Sequence, residues 1–360
     1  MKFDKDGVRQ DEMTSAERMA ALVQGKPLDR IPFVPFILGF AARNTGFPIT
    51  SFYEDPEKSF WASKMTRDQY GHDGSPALGY ADYGAWEFGG AIRFPQSQYE
   101  QSLVVTRRPV GSEEQALKLK LPDVKKAGFL PILMEFSKVQ EKNGAAINCT
   151  GMEPFSTAAS ITGIELFSHW MMKKPKVCHH LLRLATEHRV QVVEYWVDTF
   201  GAERVRIRSS TSTETNYIIS PKQFEEFVLP YSKEFHERML AMGIKSIYSH
   251  ICGDHNLNLP YWAKIPFGDP GMISIGDEVD INDAIKYFGD KIIIFGNLNP
   301  TLLLNGPPAR IYEECRKCIE KGKKAPRGYV LMTGCEVPVA TPPYHLWLMR
   351  KAISDFGFFD

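Results

Sequence analysis

The chain has no excess of either charge: 43 Lys and Arg stand against 43 Asp and Glu in 360 residues. A protein whose main partner is a nucleic acid needs a basic surface to meet phosphates, and this balance speaks against one. No apolar run reaches the ~18 residues of a transmembrane helix, so no membrane partner is expected. Met1 to Glu12 is polar and charged and lacks the apolar stretch of a signal peptide, so a reducing, cytoplasmic setting is expected. Six cysteines are too few for a disulfide scaffold of this length. Each is then either packing or chemistry. No G-x-G-x-x-G follows the first expected strand, which removes the main support for a dinucleotide-binding fold. No internal repeat or low-complexity segment is present.

What is present suffices for a large core: 43% of residues are hydrophobic and 24% charged, which excludes disorder. Residues 1–13 read as a flexible tail and residues 14–360 as one domain. Thr14 and Glu17 have the spacing of a capping box, and the helix they open should end near Gly25. Ile31–Leu38 reads as a buried strand despite Pro32 and Pro35 inside it. Residues 39–110 are rich in Gly and aromatics and show no clean period. They read as helices and long loops with one further strand near 70–95 and a hairpin near Ile92–Arg107.

From residue 130 onward, strands and helices alternate. Strands are expected at Ala145–Met152, Arg204–Ser209, Lys245–Cys252, Met272–Gly276, Lys291–Leu298 and Tyr329–Thr333. No short hairpin joins them, so they should form a parallel sheet with crossover helices. With the two N-terminal candidates the count is eight, which predicts a single (β/α)8 TIM barrel with an N-terminal extension and elaborated loops. An open doubly wound sheet is the alternative.

In such a barrel the working residues lie where strands end at the C-terminal face. His250 and Cys252 are two apart at one strand end and so share a face. Cys335 ends another strand. One imidazole and two thiolates suit Zn2+, with a fourth position left open for substrate or solvent. Gly253 and Gly334 beside these residues would let the backbone turn tightly. The same residues can equally be core filler, because free Cys is among the most buried residue types. Cys149, Cys178, Cys315 and Cys318 read as packing, the last two because their C-x2-C lies inside a charged helix. His179 and His180 read the same way.

Glu153 and Glu214 each follow a strand end, where a carboxylate can relay a proton or complete a metal site. Glu336, next to Cys335, is a third carboxylate of this kind, and surface salt bridging is the alternative for all three. Asp254 and His255 can orient His250. Asn297 and Asn299 can line a cofactor pocket or cap the next turn. Arg206 and Arg208 alternate on one strand and can face an interior anion or pair with helix carboxylates.

Several of these stretches, in order, resemble one known family. Ile219-Ser220-Pro221 with Phe227 to Tyr231, then His250-Ile251-Cys252-Gly253, Gly296-Asn297-Leu298-Asn299-Pro300 and Gly334-Cys335 are similar to the uroporphyrinogen decarboxylase superfamily. Gly151 to Ala159 resembles its G-P-F-x-x-A segment in modified form. The resemblance covers roughly residues 14–355 and implies a single (β/α)8 barrel. The metal-free decarboxylases of this superfamily carry an Arg-rich segment after the first strand. Here Phe36 to Arg43 holds one Arg, which weakens that alternative. The other branch is the zinc-dependent corrinoid methyltransferases, with H-x-C followed later by G-C, and His250, Cys252 and Cys335 match those positions.

That branch implies zinc on the chain and methyl transfer to or from the cobalt of a corrinoid, or cobalamin, carried by a small partner protein. It also implies a small-molecule methyl donor or acceptor, and it allows a homodimer. O-demethylation of an aromatic methyl ether is the favoured activity, because the aromatic 40–90 region can line a pocket for a ring. Transfer from methylcorrinoid to a thiol such as coenzyme M, or to tetrahydrofolate, is the alternative.

Overall fold

A computed structural model describes residues 7–359 of the chain. Among the described residues, β1 (Ala91–Arg93) and β2 (Val104–Arg107) form the antiparallel hairpin expected near Ile92–Arg107. Six further strands form one parallel sheet. They are β3 (Ile147–Thr150), β4 (Val205–Thr211), β5 (Ile247–Ile251), β6 (Gly271–Ile275), β7 (Ile292–Leu298) and β8 (Tyr329–Thr333). Their spatial order is their chain order, β3-β4-β5-β6-β7-β8, with a helix between each successive pair. The fold class is therefore the expected one, an α/β unit with sequential parallel strands and crossover helices.

The count of eight ladder strands is corrected to six. The stretch expected as the first strand runs beside β8 but makes only one isolated bridge, Phe33 with Leu331. Val34 N donates to Leu331 O at 2.9 Å and Leu331 N to Pro32 O at 2.9 Å. Pro32 and Pro35 carry no N–H, so the ladder cannot continue on either side. The strand expected near 70–95 is an extended segment too. Asp73 N donates to Phe33 O at 2.6 Å. On its other side Pro76 O accepts from Gln140 Nε2 at 2.8 Å and from Asn148 Nδ2 on β3 at 3.3 Å.

Buried charge fixes these two segments where ladder bonds do not. Arg18 and Arg30 are both fully buried. Arg18 pairs with Asp73 at 2.5 Å and Asp29 at 2.7 Å, and Arg30 with Asp73 at 2.8 Å and Asp11 at 2.6 Å. Asp73 Oδ2 also accepts from Phe33 N at 2.8 Å. Burying an ion is costly unless it is paired in this way. Asp11 belongs to the stretch read as a tail, and Arg9 N donates to Ser354 Oγ at 2.7 Å, so residues 9–11 are anchored. Met1 to Asp6 of that stretch lie outside the described residues.

Other local expectations hold. Thr14 and Glu17 form the capping box of the helix Ser15–Gln24, and Gly25 ends it in the left-handed conformation. Ser220 and Gln223 form a second capping box ahead of Pro221. The helical stretch that follows is interrupted by a π-turn at Phe224–Val228 before Leu229–Ala241.

Candidate metal centre and cavity

Side chains alternate along β5, and this alternation builds the site. Tyr248 and His250 face the inside of the sheet, where His250 meets Phe36 edge-on with ring centroids 5.3 Å apart. Ser249 between them faces the helices, donating to Glu153 Oε1 at 3.1 Å. Cys252 follows the strand end, its N–H donating to Thr211 Oγ1 of β4 at 3.3 Å. Gly253 then has φ +83°, a left-handed value that lets the chain turn away at once. Cys335 lies just past β8 behind Gly334, where a Cβ would stand 2.7 Å from Asp277 N, so a larger residue would push the loop away.

The three expected ligands converge. The ligand atoms of His250, Cys252 and Cys335 lie within 4.8 Å of one another, and the two Sγ atoms are 3.5 Å apart. A tetrahedral Zn2+ with Zn–S near 2.3 Å sets its ligand atoms roughly 3.5–3.8 Å apart, so the donors fit that ion. His250 Nδ1 hydrogen-bonds Ser274 Oγ of β6 at 3.0 Å. Its Nε2 is buried without a hydrogen-bond partner among the described residues. The imidazole is thus held from behind with its other nitrogen free for an ion. The Cys335 thiol is pulled well down, first by the S–H donated from Cys252 and then by His250, against desolvation. The Cys252 thiol is pushed up for the same reason, since it supplies that proton. Two thiols this close share protons readily, and a metal replaces the shared proton.

These residues open onto a cavity of about 100 Å3 whose walls include Phe36, Leu38, Leu78, Tyr80, Met152 and Tyr248. Besides the ligands and the two tyrosines, the ionisable side chains that line it are Arg208 and Glu336. Glu336 is pushed up to about 8, chiefly by desolvation. Its Oε1 accepts from Gln101 Nε2 at 2.5 Å and from Gly39 N at 3.3 Å.

The other expected site residues stand elsewhere. Glu153 is fully buried on the helix side, and its Oε1 lies 3.0 Å from His236 Nε2. Burial would raise its carboxyl, but the His236 charge and hydrogen bond outweigh this and hold it low. Glu214 takes Ser156 N at 3.0 Å and Thr213 N at 3.1 Å, so it caps the start of the helix Pro154–Thr162. Burial pushes it up to about 7. Neither carboxylate lines the cavity. Asn297 Nδ2 donates to Val279 O at 2.6 Å and Gly276 O at 3.0 Å, and Asn299 caps the helix Pro300–Asn305. Both asparagines border a separate outer groove. His255 accepts from Trp262 Nε1 at 3.1 Å, so Ser274 rather than His255 orients His250.

Ser274 was not singled out in the sequence. Its parity on β6, in register with His250, is the signal that finds it. Cys149, Cys178 and Cys315 are buried in the main apolar core, and Cys318 packs against it, as expected of packing residues.

A family model described as uroporphyrinogen decarboxylase (URO-D) matches residues 14–356. A curated uroporphyrinogen decarboxylase of Hordeum vulgare is 27% identical over 218 residues, which covers 56% of this chain and 59% of that protein. The chain thus spans little more than half the length of this relative. Among solved structures, a methyltransferase from Methanosarcina mazei superposes with a TM-score of 0.81 at 21% identity, covering 96% of this chain and 99% of that one. A B12-independent methionine synthase from Shewanella sp. W3-18-1, in complex with selenomethionine, gives 0.51 at 12% identity, covering 85% and 86%. At these identities the two structures establish likeness of fold.

Proposed function

The chain belongs to the uroporphyrinogen decarboxylase family, and from that premise we propose that it is a zinc-dependent methyltransferase rather than a decarboxylase. The observation that carries this reading is the convergence of His250, Cys252 and Cys335, one nitrogen and two sulfurs within 4.8 Å of one another at the cavity. The charge of the cavity supports the same choice. A polycarboxylate substrate needs several cations, and the cavity wall offers Arg208 alone. Arg43, the one arginine of the segment that is Arg-rich in the decarboxylases, instead donates to Val339 O at 2.7 Å.

The favoured reaction is removal of a methyl group from a small aromatic methyl ether. The cavity's size, about 100 Å3, is on the order of one ring, and Phe36, Tyr80 and Tyr248 supply aromatic walls. A corrinoid macrocycle is too large for it, so we assign the methyl-accepting corrinoid to a separate small protein. His250, Cys252 and Cys335 would hold the zinc. When bound, it supplies a Lewis acid that stabilises negative charge on the departing oxygen. Ser274 holds the imidazole in place through Nδ1, and the apolar wall excludes water from the reacting oxygen. Glu336 is in the cavity wall beside Cys335, and Glu153 and Glu214 are not, so it is the carboxyl we favour for protonating the product oxygen.

The test is metal analysis of the purified protein with a methyl-transfer assay. We expect about one zinc per chain and conversion of cob(I)alamin to methylcobalamin, followed by absorbance, with an aromatic methyl ether as donor. Absence of stoichiometric zinc would overturn the reading.

A further inference from the structure

Arg208 is set apart by its place. Arg189 is also buried with no carboxylate paired to it among the described residues, but it does not line the cavity. Arg18 and Arg30 are matched to carboxylates at 2.5–2.8 Å. Arg208 is half-buried inside the sheet, and no carboxylate among the described residues pairs with it. Its guanidinium lies over the Tyr248 ring, 4.8 Å from the centroid. It lines the cavity beside the metal ligands and also the two spaces that continue from it toward the opposite end of the sheet. Glu336, the carboxylate that shares its cavity, is engaged by Gln101 and Gly39.

Strand register fixes where this cation sits. Ser210 of β4 is level with His250 of β5, and Arg208 is level with Tyr248. Arg208 is therefore one strand over and two residues deeper than the ligand histidine, roughly 7 Å along the strand direction. That is about the span of one six-membered ring with a substituent at each end. A half-buried guanidinium with no counter-charge is costly unless something fills the role, and its planar fork matches a carboxylate or sulfonate.

We propose that Arg208 is a specificity residue that selects an anionic substrate, its carboxylate or sulfonate on Arg208 and its methyl-bearing or methyl-accepting heteroatom toward the metal ligands. This deepens the proposed function and rests on it. Arg206, the alternate residue on the same strand, lines the space at the far end instead and is not part of this contact.

The experiment is calorimetric titration of the zinc-loaded full chain with 4-methoxybenzoate, neutral methoxybenzene and 2-mercaptoethanesulfonate. It is repeated on Arg208→Met and Arg208→Lys, with zinc content and melting temperature measured for each. We expect at least one of the two anions to bind tenfold or more tighter than methoxybenzene. Arg208→Met should abolish that preference at unchanged zinc content, and Arg208→Lys should keep part of it. Preference for the benzoate identifies a carboxylated ether as the substrate class; preference for the sulfonate identifies a thiol acceptor. Equal binding of neutral and anionic probes, or a preference that survives Arg208→Met, overturns the proposal while stoichiometric zinc leaves the methyltransferase reading intact. An anion preference in a chain that takes up no zinc sinks the methyltransferase reading and leaves Arg208 as an anion site.

Discussion

On β5, His250 faces the cavity and Ser249 faces the helices, and the two sides of the sheet treat polar groups in opposite ways. On the helix side the two carboxylates are engaged within the protein: Ser249 and His236 meet Glu153 Oε1, and Ser156 meets Glu214, while Glu153 Oε2 has no hydrogen-bond partner among the described residues. On the cavity side key groups are left open among the described residues: His250 Nε2 has no hydrogen-bond partner, the two cysteine sulfurs face each other, and no carboxylate pairs with Arg208. A closed polar network serves the fold, and an open one invites a ligand. The comparison predicts that cavity-side substitutions lose metal and activity while keeping the fold, and that helix-side substitutions do the reverse.

The largest effect should come from the ligands. His250→Ala, Cys252→Ala or Cys335→Ala should each reduce bound zinc from about one per chain to near zero and abolish methyl transfer. Melting of the apo forms should match that of the apo wild type. A ligand variant that keeps its zinc would break the comparison on the cavity side.

Next is Glu153→Ala. Removing one partner of a buried, hydrogen-bonded ion pair leaves His236 uncompensated and should cost about 3–5 kcal/mol in denaturant unfolding. Surviving folded protein should still bind zinc. A variant with normal stability and no methyl transfer would instead return Glu153 to the chemistry.

Glu214 gives a pH test on the same side. Its carboxyl is raised by burial to about 7, above its ordinary 4.5, so the folded state binds more protons than the unfolded state in between. Its contribution is fully present below about pH 4.5 and is lost as pH rises through 7, on the order of 3 kcal/mol in all. Glu214→Gln should flatten this fall in stability between pH 5 and 8, measured as the denaturant midpoint. An unchanged slope would show that the carboxyl is not held protonated.

Ser274→Ala should be milder. The hydroxyl fixes the His250 ring but does not touch the metal position, so zinc affinity should fall about 10- to 100-fold with little change in melting. Competition against a chelator measures it, and Ser274→Thr should restore most of the affinity. Unaltered affinity in Ser274→Ala would mean that packing against Phe36 alone holds the ring.

The two sides were unequally legible in the sequence. His250 could be read because parity holds on a strand, and it still holds for Cys252 one residue past the strand end; the same rule extends to Ser274 and Arg208. Glu153 and Glu214 lie past their strand ends, where parity lapses, and nothing local says that they turn toward the helices. The six ladder strands stood out as apolar runs between helices. Ile31–Leu38 was read as a strand too, but it makes one bridge and no ladder, because Pro32 and Pro35 carry no N–H. The charges that replace it, from Asp11, Arg18, Asp29, Arg30 and Asp73, are spread over more than sixty residues of chain with no common period.

The smallest effect should come from Asn299, which was expected to bind a cofactor. Its Oδ1 accepts from Leu302 N at 2.7 Å, which is the helix-capping bond of Pro300–Asn305. It borders the outer groove and not the cavity of His250 and Cys252. Asn299→Ala should therefore cost about 1 kcal/mol as a lost cap. In a chain of this length that is a drop in melting of roughly one or two degrees. Asn299→Asp, which also caps, should recover it. Zinc content and methyl transfer should stay at the wild-type level, because no cavity wall moves. A tenfold loss of activity in Asn299→Ala with zinc and melting unchanged would mean that a reacting molecule reaches the outer groove. The division between an open cavity side and a closed helix side would then have to be redrawn there.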